Sequence, residues 1–508
     1  MRTINNARKL FVMTEQTYTF PTIYPVACHT DNIGAGSIFI AVPGKKEDGV
    51  KYISQAIEKG ATKIVVQHDA KLSQEISDLL TQKKISLERV ENTRKALAEL
   101  SAQAHGYPAR KLTLIGITGT KGKTTTTYVL AHILRIAGYK TAMLSTVENV
   151  IGDITFPAKL TTQHPDFLHT LFAECVKQGI THVVMEVAAQ AMTLHRVAGL
   201  EFSGILFTNF EREHSEFYET IEDYFAAKCA LFSLRKPCAP VLVNADDAWG
   251  QKILAKNLEF MCFGLISSDC AVTAQVYDVK NGISANVQIT KAGAHINKCV
   301  CANNYESENQ ETAALSCPSL VGRFNAYNVL GAVGLAVKLG VPLAQATEAL
   351  ASFGHVPGRL QGYILPNGAR SFIDYAHTPS SFTQVLAALR ETTDHLIVVF
   401  GAGGDRDPHK RPVMGQITSD IADLVIVTSD NPRSEKAEDI CRQILAGIAP
   451  ENLSKVICEL DREQAIKKAY AHSKPTSVIV LLGKGPDEYQ QIGSIKYPFS
   501  EKAILKSL

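Results

Sequence analysis

The chain has 508 residues, more than one hydrophobic core usually organises, so about three domains are expected. With 45% hydrophobic residues, 20% charged residues and a formal net charge of +2, it has a soluble globular composition without the basic field that gathers nucleic acid or an anionic membrane surface. No apolar run reaches the length of a membrane span and the N-terminus has no sustained signal-peptide core, while the 11 cysteines are odd in number and scattered, which argues for a reducing compartment in which each is a small buried hydrophobe. A cytoplasmic protein acting on small molecules, with no nucleic-acid or membrane partner, is the expectation.

Residues 22–108 alternate short strands with helices, namely SIFIA from Ser37, a helix near Gln55 to Lys59 and KIVV from Lys63, which makes a small α/β unit. From Lys111 the pattern becomes LTLIGI, HVVMEV and GILFTNF, apolar strands separated by helical periodicity, as a parallel sheet covered on both faces requires. Residues 241–320 are more β-like and include CANNYESENQETAALS from Cys301, which has no period and reads as a loop. A helix is expected from Asn325 to Leu339, then the turn HVPGR, then SFIDYA opening a further strand and helix series. The expected fold is therefore α/β in three domains: a small N-terminal domain over residues 1–108, a central P-loop ATPase domain with a parallel sheet over 109–353, and a C-terminal Rossmann-like domain over 354–508.

The strand LTLIGI runs into the turn Gly119, Thr120, Lys121, Gly122, Lys123, Thr124, Thr125, and then into YVLAHILRIAG, which has apolar residues at helical spacing and ends in glycine. This strand, loop and helix context makes a phosphate loop, although Ile117 stands where the longer G-x-x-x-x-G-K-[ST] form has its first glycine. Backbone N–H groups and the helix N-terminus can hold phosphate oxygens, Lys123 can neutralise their charge, and the Thr124 hydroxyl suits magnesium. Glu186 ends an apolar strand and His214 follows the next one, positions where an α/β sheet presents ligands. Both can face magnesium, yet a hard cation prefers oxygen, so on the residue alone a bland surface or core histidine stays open for His214.

The short GTKGKTT loop is similar to that of the Mur ligase family. EVAAQAMTLHR from Glu186, TNFEREH from Thr208, YFAAKCALF from Tyr224, the NxxN pair Asn325 and Asn328, PGR at Pro357 to Arg359 and DYAHTP from Asp374 extend the resemblance over almost the whole length. The resemblance implies an ATP-dependent amide ligase, which phosphorylates a carboxylate to an acyl phosphate that an amine then attacks. It implies Lys123, Glu186, His214, Lys228 and Arg359 as catalytic residues, with Thr124, Glu186, His214 and Lys228 around magnesium. ATP would lie on residues 119–125 and Arg359, with Asn325 and Asn328 near adenine and Asp374 near the ribose. It further implies that Lys228 is carbamylated, since an ammonium beside magnesium repels it whereas a carbamate is an anionic oxygen ligand. Arg359 stands near the second domain boundary, so closure of the C-terminal domain would complete the site after substrates bind.

GGDRDPHKRP from Gly403, SDNPRSE from Ser429 and GKGPDEYQ from Gly483 resemble the diaminopimelate-adding branch of that family. This implies a monomeric enzyme of peptidoglycan assembly whose substrates are a UDP-muramoyl dipeptide and meso-diaminopimelate. Arg433 offers a planar fork for the second carboxylate of diaminopimelate, a group lysine lacks, with Arg406, Asp430, Asn431, Pro432, Gly483 and Asp487 around it. Taken alone, Asp-Asn-Pro-Arg is more often only a turn. Thr30, Thr161, Thr162 and Arg196 match the acceptor side. The chain departs from the pattern at Pro486 and Asp487, where GKGHE is usual, at Ala188 and Ala189 in place of a serine pair, at Leu194 in place of a polar residue, and at His29, Thr30, Asp31 in place of DSR. These departures keep two alternatives in view: a paralogous ligase acting on another carboxylate, and a catalytically silent nucleotide-binding protein.

Overall fold

The computed structural model describes residues 20–44, 47–213, 217–290 and 310–508. They form two compact units, the first holding the chain up to Tyr107 with His164–Ala173, the second Pro108–Gln163 with Glu174–Leu508.

The first unit is a parallel sheet with strands Val26–Ala27, Ile38–Ile40, Lys63–Gln67 and Ser86–Val90 in spatial order. Side chains alternate across it. Phe39 and Ile64 share a core with Ile53, Ala56 and Ile57 of the helix Ile53–Glu58, while Ile40 and Val65 meet Leu97 of the helix Thr93–Ala104. Asn92 caps the latter helix by accepting from Arg94 N and Lys95 N at 3.0 and 3.1 Å. The strand Ser86–Val90 escapes the periodicity because it has no fully buried residue.

In the second unit the larger sheet has, among the described residues, 11 strands. Its parallel centre runs Val272–Asp278, Met261–Gly264, Val241–Asn244, Gly204–Phe207, Thr113–Thr118, His182–Glu186, Thr141–Leu144. Antiparallel strands flank it on both sides. One of these, Glu311–Cys317, corrects the expectation of a loop across ETAALS: it pairs with Ile283–Ile289, and only its Leu315 and Cys317 are buried, too little alternation to read. The rest of that polar stretch, residues 301–309, lies outside the described residues. The helix Arg323–Lys338 is buried along most of its length; an added Cβ on Gly334 would come within 2.8 Å of Val272 and 2.9 Å of Leu242, so glycine lets the helix lie close on the sheet.

The C-terminal sheet runs Gln361–Ile364, Arg370–Asp374, Val478–Leu482, Leu396–Phe400, Leu424–Val427, Val456–Cys458, parallel except for its first pair, which is the expected Rossmann-like arrangement. A separate hairpin, Tyr489–Ile492 with Ile495–Pro498, follows it. The buried Arg462 ties the far end together, pairing with Glu501 at 2.8 Å and donating to the carbonyls of Ser429 and Leu482. Among the described residues the cysteines depart from the expectation of buried free thiols in two ways: Cys28, Cys229 and Cys262 are half-buried and Cys458 is exposed, and Cys238 is disulfide-bonded. Among the described residues no helix is long and apolar enough to cross a membrane.

Candidate active site

In the second unit the strand Thr113–Thr118 lies between Gly204–Phe207 and His182–Glu186, so the loops leaving the three strands converge at the carboxyl edge of the sheet, where α/β folds bind ligands. The glycine-rich loop, residues 119–125, is held from the side by the segment after Gly204–Phe207. Thr120 N and Lys121 N donate to Asn209 O and Oδ1 at 2.8 and 2.9 Å, and Thr208 Oγ1 donates to Lys121 O at 2.6 Å. Two glycines are required here: Gly119 has φ +137 and an added Cβ would sit 2.0 Å from Thr208 Oγ1, and Gly122 has φ +81 with its Cβ 2.2 Å from Asn328 Oδ1. Gly122 leads directly into the helix Lys123–Ile136, whose second residue, Thr124, is buried.

Lys123 Nζ folds back over the loop, donating to the carbonyls of Gly119 and Thr120 at 3.0 and 2.8 Å. Burial pushes its pKa down, as does Arg359, while Glu186 and Glu213 oppose the change. Lys228, on the helix Ile221–Cys229, is 1% exposed and donates to Gly119 O at 2.6 Å. Burial holds its pKa well below the usual lysine range, with Lys123 adding to the effect. Glu186, also 1% exposed, accepts from Thr146 N and Thr146 Oγ1 at 2.7 and 3.1 Å, and Thr161 Oγ1 lies 3.2 Å from Thr146 Oγ1. Thr162 is committed to the backbone: its hydroxyl donates to Glu186 O at 2.9 Å and accepts from Ala188 N at 3.0 Å, while its carbonyl takes Arg196 Nη1 at 2.8 Å. Lys123, Glu186, Lys228, Arg359, Thr161, Thr162 and Arg196 are thus drawn into one neighbourhood. His214 lies outside the described residues.

A cavity of about 210 Å³ opens beside the loop, lined among others by Lys121, Gly122, Asn209, Asp246, Tyr327 and Asn328. Asn328 faces it, donating to Asn325 Oδ1 at 3.0 Å, and Asn325 in turn donates to Val321 O at 2.9 Å, so only the second asparagine lines the space directly. Asp246 went unnoticed in the sequence, although it follows the strand Val241–Asn244 as a carboxylate at the sheet's binding edge. Its oxygens accept from the N–H groups of Leu265, Ile266 and Ser267, from Ser267 Oγ and from Tyr327 OH, all within 2.6 to 2.9 Å. Glu211 was missed too. It accepts from Lys121 Nζ at 2.6 Å, from Ser380 Oγ at 3.0 Å and from Gln384 Nε2 at 2.6 Å. Burial raises its pKa, but Lys121, Ser380 and Gln384 outweigh that and hold it below the usual carboxylate value.

Asp374 ends the strand Arg370–Asp374 and accepts from Leu360 N and Ala376 N at 2.7 and 2.8 Å; burial raises its pKa and Arg359 opposes. It therefore shapes the loop that carries Arg359. That loop is packed backbone to backbone against the glycine-rich turn after Val478–Leu482. A Cβ on Gly358 would meet Pro486 N at 2.3 Å, one on Gly485 would meet Tyr375 Cβ at 2.5 Å, and Tyr375 N donates to Gly358 O at 2.9 Å.

Beyond this turn, the buried Asn431 accepts on Oδ1 from Gln491 N at 2.8 Å and from the buried Lys484 Nζ at 3.2 Å, bonds that do not use its amide N–H groups. Lys484, another residue passed over in the sequence, is 3.8 Å from Asp430, whose Oδ2 would lie 2.4 Å from a Cβ on Gly483. Arg433 has φ +52, donates to Gly404 O at 2.5 Å, and is joined to the hairpin through Arg433 N to Gln491 O at 3.1 Å and Gly493 N to Arg433 O at 2.7 Å. Pro432 O lies where a side chain on Gly404 would clash, at 1.8 Å, and Arg406 is exposed beside Gly403. Asp487 is pushed up in pKa by burial, with Asp430 adding and Lys484 opposing. In the first unit, Thr30 is buried and its hydroxyl donates to Gln55 Oε1 at 3.1 Å, so it is engaged within its own fold.

Comparison with known proteins places this geometry. Residues 22–105 match the Mur ligase family catalytic domain, 117–336 the Mur ligase middle domain and 358–485 the Mur ligase glutamate ligase domain. A UDP-N-acetylmuramoyl-L-alanyl-D-glutamate--2,6-diaminopimelate ligase from Caldanaerobacter subterraneus subsp. tengcongensis is 36% identical over 93% of this chain and 91% of its own. The chain belongs to the Mur ligase family. A Clostridium botulinum ligase of the same description is also 36% identical, over 93% of this chain and 92% of that one. Among solved structures, this Mur ligase is similar to a UDP-N-acetylmuramoyl-L-alanyl-D-glutamate--2,6-diaminopimelate ligase, with TM-score 0.65, 24% identity and coverage of 96% of this chain and 94% of that one. It is also similar to the MurF ligase of Thermotoga maritima in complex with ADP, with TM-score 0.57, 18% identity and coverage of 92% and 95%. Both structural likenesses speak to the fold, and the three α/β domains agree with it.

Proposed function

We propose that this chain is an ATP-dependent ligase that joins meso-diaminopimelate to UDP-N-acetylmuramoyl-L-alanyl-D-glutamate in the cytoplasm, through an acyl phosphate. The observation that carries the reading is the convergence of Glu186, Glu213, Lys228 and Arg359 on Lys123 at the mouth of a glycine-rich loop. Residues 119–125 would hold the ATP phosphates, Asn328 and the polar cavity beside it would take the base, supported by Asn325, and Asp374 would lie toward the ribose while holding the Arg359 loop. Lys123 and Arg359 would stabilise charge on the phosphoryl group as it passes to the acceptor carboxylate. The amine then attacks the acyl carbon, the C–N bond forms, phosphate leaves with the C–O electrons, and the nitrogen gives up a proton that the departing phosphate can take.

Glu186 and Thr124, buried oxygen donors beside the loop, fit a magnesium ion, as does Lys228 once it carries a carbamate. Its suppressed pKa supports that modification, because the neutral amine is the form that adds carbon dioxide. When bound, magnesium would neutralise phosphate charge. Arg433 and the amide of Asn431 would supply donors suited to the second carboxylate of diaminopimelate, with Asp430 and Asp487 toward its amine and Arg406 at the rim. We assign residues 1–108 to the UDP-sugar, 109–353 to ATP and 354–508 to the amino acid, with Thr161 and Arg196 toward the acceptor. A second reading, another carboxylate acceptor, is favoured by Ala188, which starts the helix Ala189–Thr193 with no hydroxyl to offer.

The test is phosphate release by purified protein with magnesium and ATP over a matrix of acceptors and amino acids. Turnover with the muramoyl dipeptide and diaminopimelate is expected; turnover confined to another acceptor selects the second reading, and none with any pair rejects both.

A further inference from the structure

The residues that close the nucleotide cavity come from two parts of the second unit, and one carboxylate joins them. Glu211 is fixed to the phosphate loop twice, through its backbone, where Glu211 N donates to Thr120 Oγ1 at 3.0 Å and Thr120 Oγ1 lies 3.2 Å from Glu211 O, and through its side chain, where Lys121 Nζ donates at 2.6 Å. The same carboxylate takes Ser380 Oγ on Oε2 and Gln384 Nε2 on Oε1, residues 169 and 173 positions further along the chain on the helix Pro379–Arg390. Lys121 Nζ also contacts Ser380 Oγ directly. Three of the four partners, Lys121, Glu211 and Gln384, line the cavity. The helix they engage follows Asp374, the residue that fixes the Arg359 loop.

We propose that Glu211 is a positioning residue that clasps the C-terminal domain onto the phosphate loop over bound nucleotide. It touches no reacting atom. It ties the helix Pro379–Arg390 to the loop residue beside Lys123, so that Arg359 and the loop reach the nucleotide together and the nucleotide leaves only when the clasp opens. The charge-assisted contacts with Lys121 make it sensitive to salt, because Glu211 is about a third exposed. This inference rests on the nucleotide reading above.

The experiment is stopped-flow release of magnesium-ADP, followed by the fluorescence of Trp249, the only tryptophan in the chain, whose ring is 4.8 Å from that of Phe210, the neighbour of Glu211. Glu211→Ala is expected to speed release about tenfold, ~1.4 kcal/mol, and to weaken its salt dependence. Ser380→Ala/Gln384→Ala, which alters only exposed positions on the helix and keeps the fold whatever becomes of Glu211→Ala, is expected to speed release as much. The triple variant should release no faster than either, because all three residues act through one hydrogen-bonded cluster. KM for ATP should rise more than kcat falls. Release at the wild-type rate from the helix variant overturns the clasp while leaving the ligase reading intact, as does a triple variant whose effects add. A wild-type protein that binds no nucleotide overturns both.

Discussion

Gly122→Ala isolates what the phosphate loop demands of its backbone. At φ +81 an alanine bears the left-handed penalty of ~1 to 2 kcal/mol, and its Cβ would stand 2.2 Å from Asn328 Oδ1. Asn328 has to turn away, which breaks its hydrogen bond to Asn325 and the 3.4 Å bond it accepts from Thr126, at about 0.5 to 1.5 kcal/mol for each bond. The sum is roughly 2 to 5 kcal/mol. Gly138→Ala is the matched control: φ is +91 but nothing lies within 4 Å, so only the backbone penalty of about 1 to 2 kcal/mol applies. Urea unfolding followed by Trp249 fluorescence reads both variants in the unit where both lie. Nucleotide affinity separates them further, since Asn328 lines the cavity and Gly138→Ala leaves it untouched; a loss of about tenfold is expected for Gly122→Ala alone. If Gly122→Ala matches Gly138→Ala in both unfolding midpoint and affinity, the close approach of Asn328 is irrelevant and the reasoning fails.

Arg433→Ala should reduce the preference for diaminopimelate over lysine by about a hundredfold or more in kcat/KM, and an unchanged ratio would show that the second carboxylate is read elsewhere. Removing carbon dioxide should suppress turnover and bicarbonate restore it; Lys228→Ala should be inactive at any bicarbonate concentration, and a carbonyl signal from labelled carbon dioxide in the wild type alone would locate the carbamate. Glu435, doubly bonded to the buried Arg411 at 2.7 and 2.9 Å, has its carboxyl pulled from 4.5 to about 2, chiefly by those hydrogen bonds. A depressed carboxyl stabilises fully above the unfolded value, so that share should be present above pH 4.5 and drain away as pH falls toward 2. Glu435→Gln should lose about 1 to 2 kcal/mol at pH 7, the modest value reflecting a side chain nearly a third open to water, and its acid unfolding should be shallower than the wild type's over that window. Parallel acid curves would refute the assignment.

The strand, turn and helix around residues 119–125 were legible because an apolar strand, two glycines and a helix of regular apolar spacing each carry a local signal, and the place of Glu186 at a strand end was legible from the apolar run before it. The parallel strands were equally plain, their runs being buried on both faces. What stayed hidden depends on distant partners. Nothing near Glu211 announces Ser380 and Gln384, nothing in VLVNADD tells that Asp246 will gather the N–H groups of residues 265–267, and Lys484 looks like a surface lysine until its partners Asp430 and Asn431 are placed beside it. Ser86–Val90 and Glu311–Cys317 were passed over or misread for a simpler reason, since edge-like strands with few buried residues lack the alternation that betrays a strand.

The tight seating of Gly358 on the turn at Gly485 and Pro486 has a pharmacological consequence. Because the loop bearing Arg359 and the turn proposed to border the amino acid are in close contact at Gly358, Gly485 and Pro486, displacement of one should disturb the other. An amino-acid mimic large enough to push Pro486 outward would therefore drag Arg359 from the phosphoryl end. In steady-state assays it would lower the maximal rate at saturating ATP, behaving as a noncompetitive inhibitor toward a nucleotide it never meets.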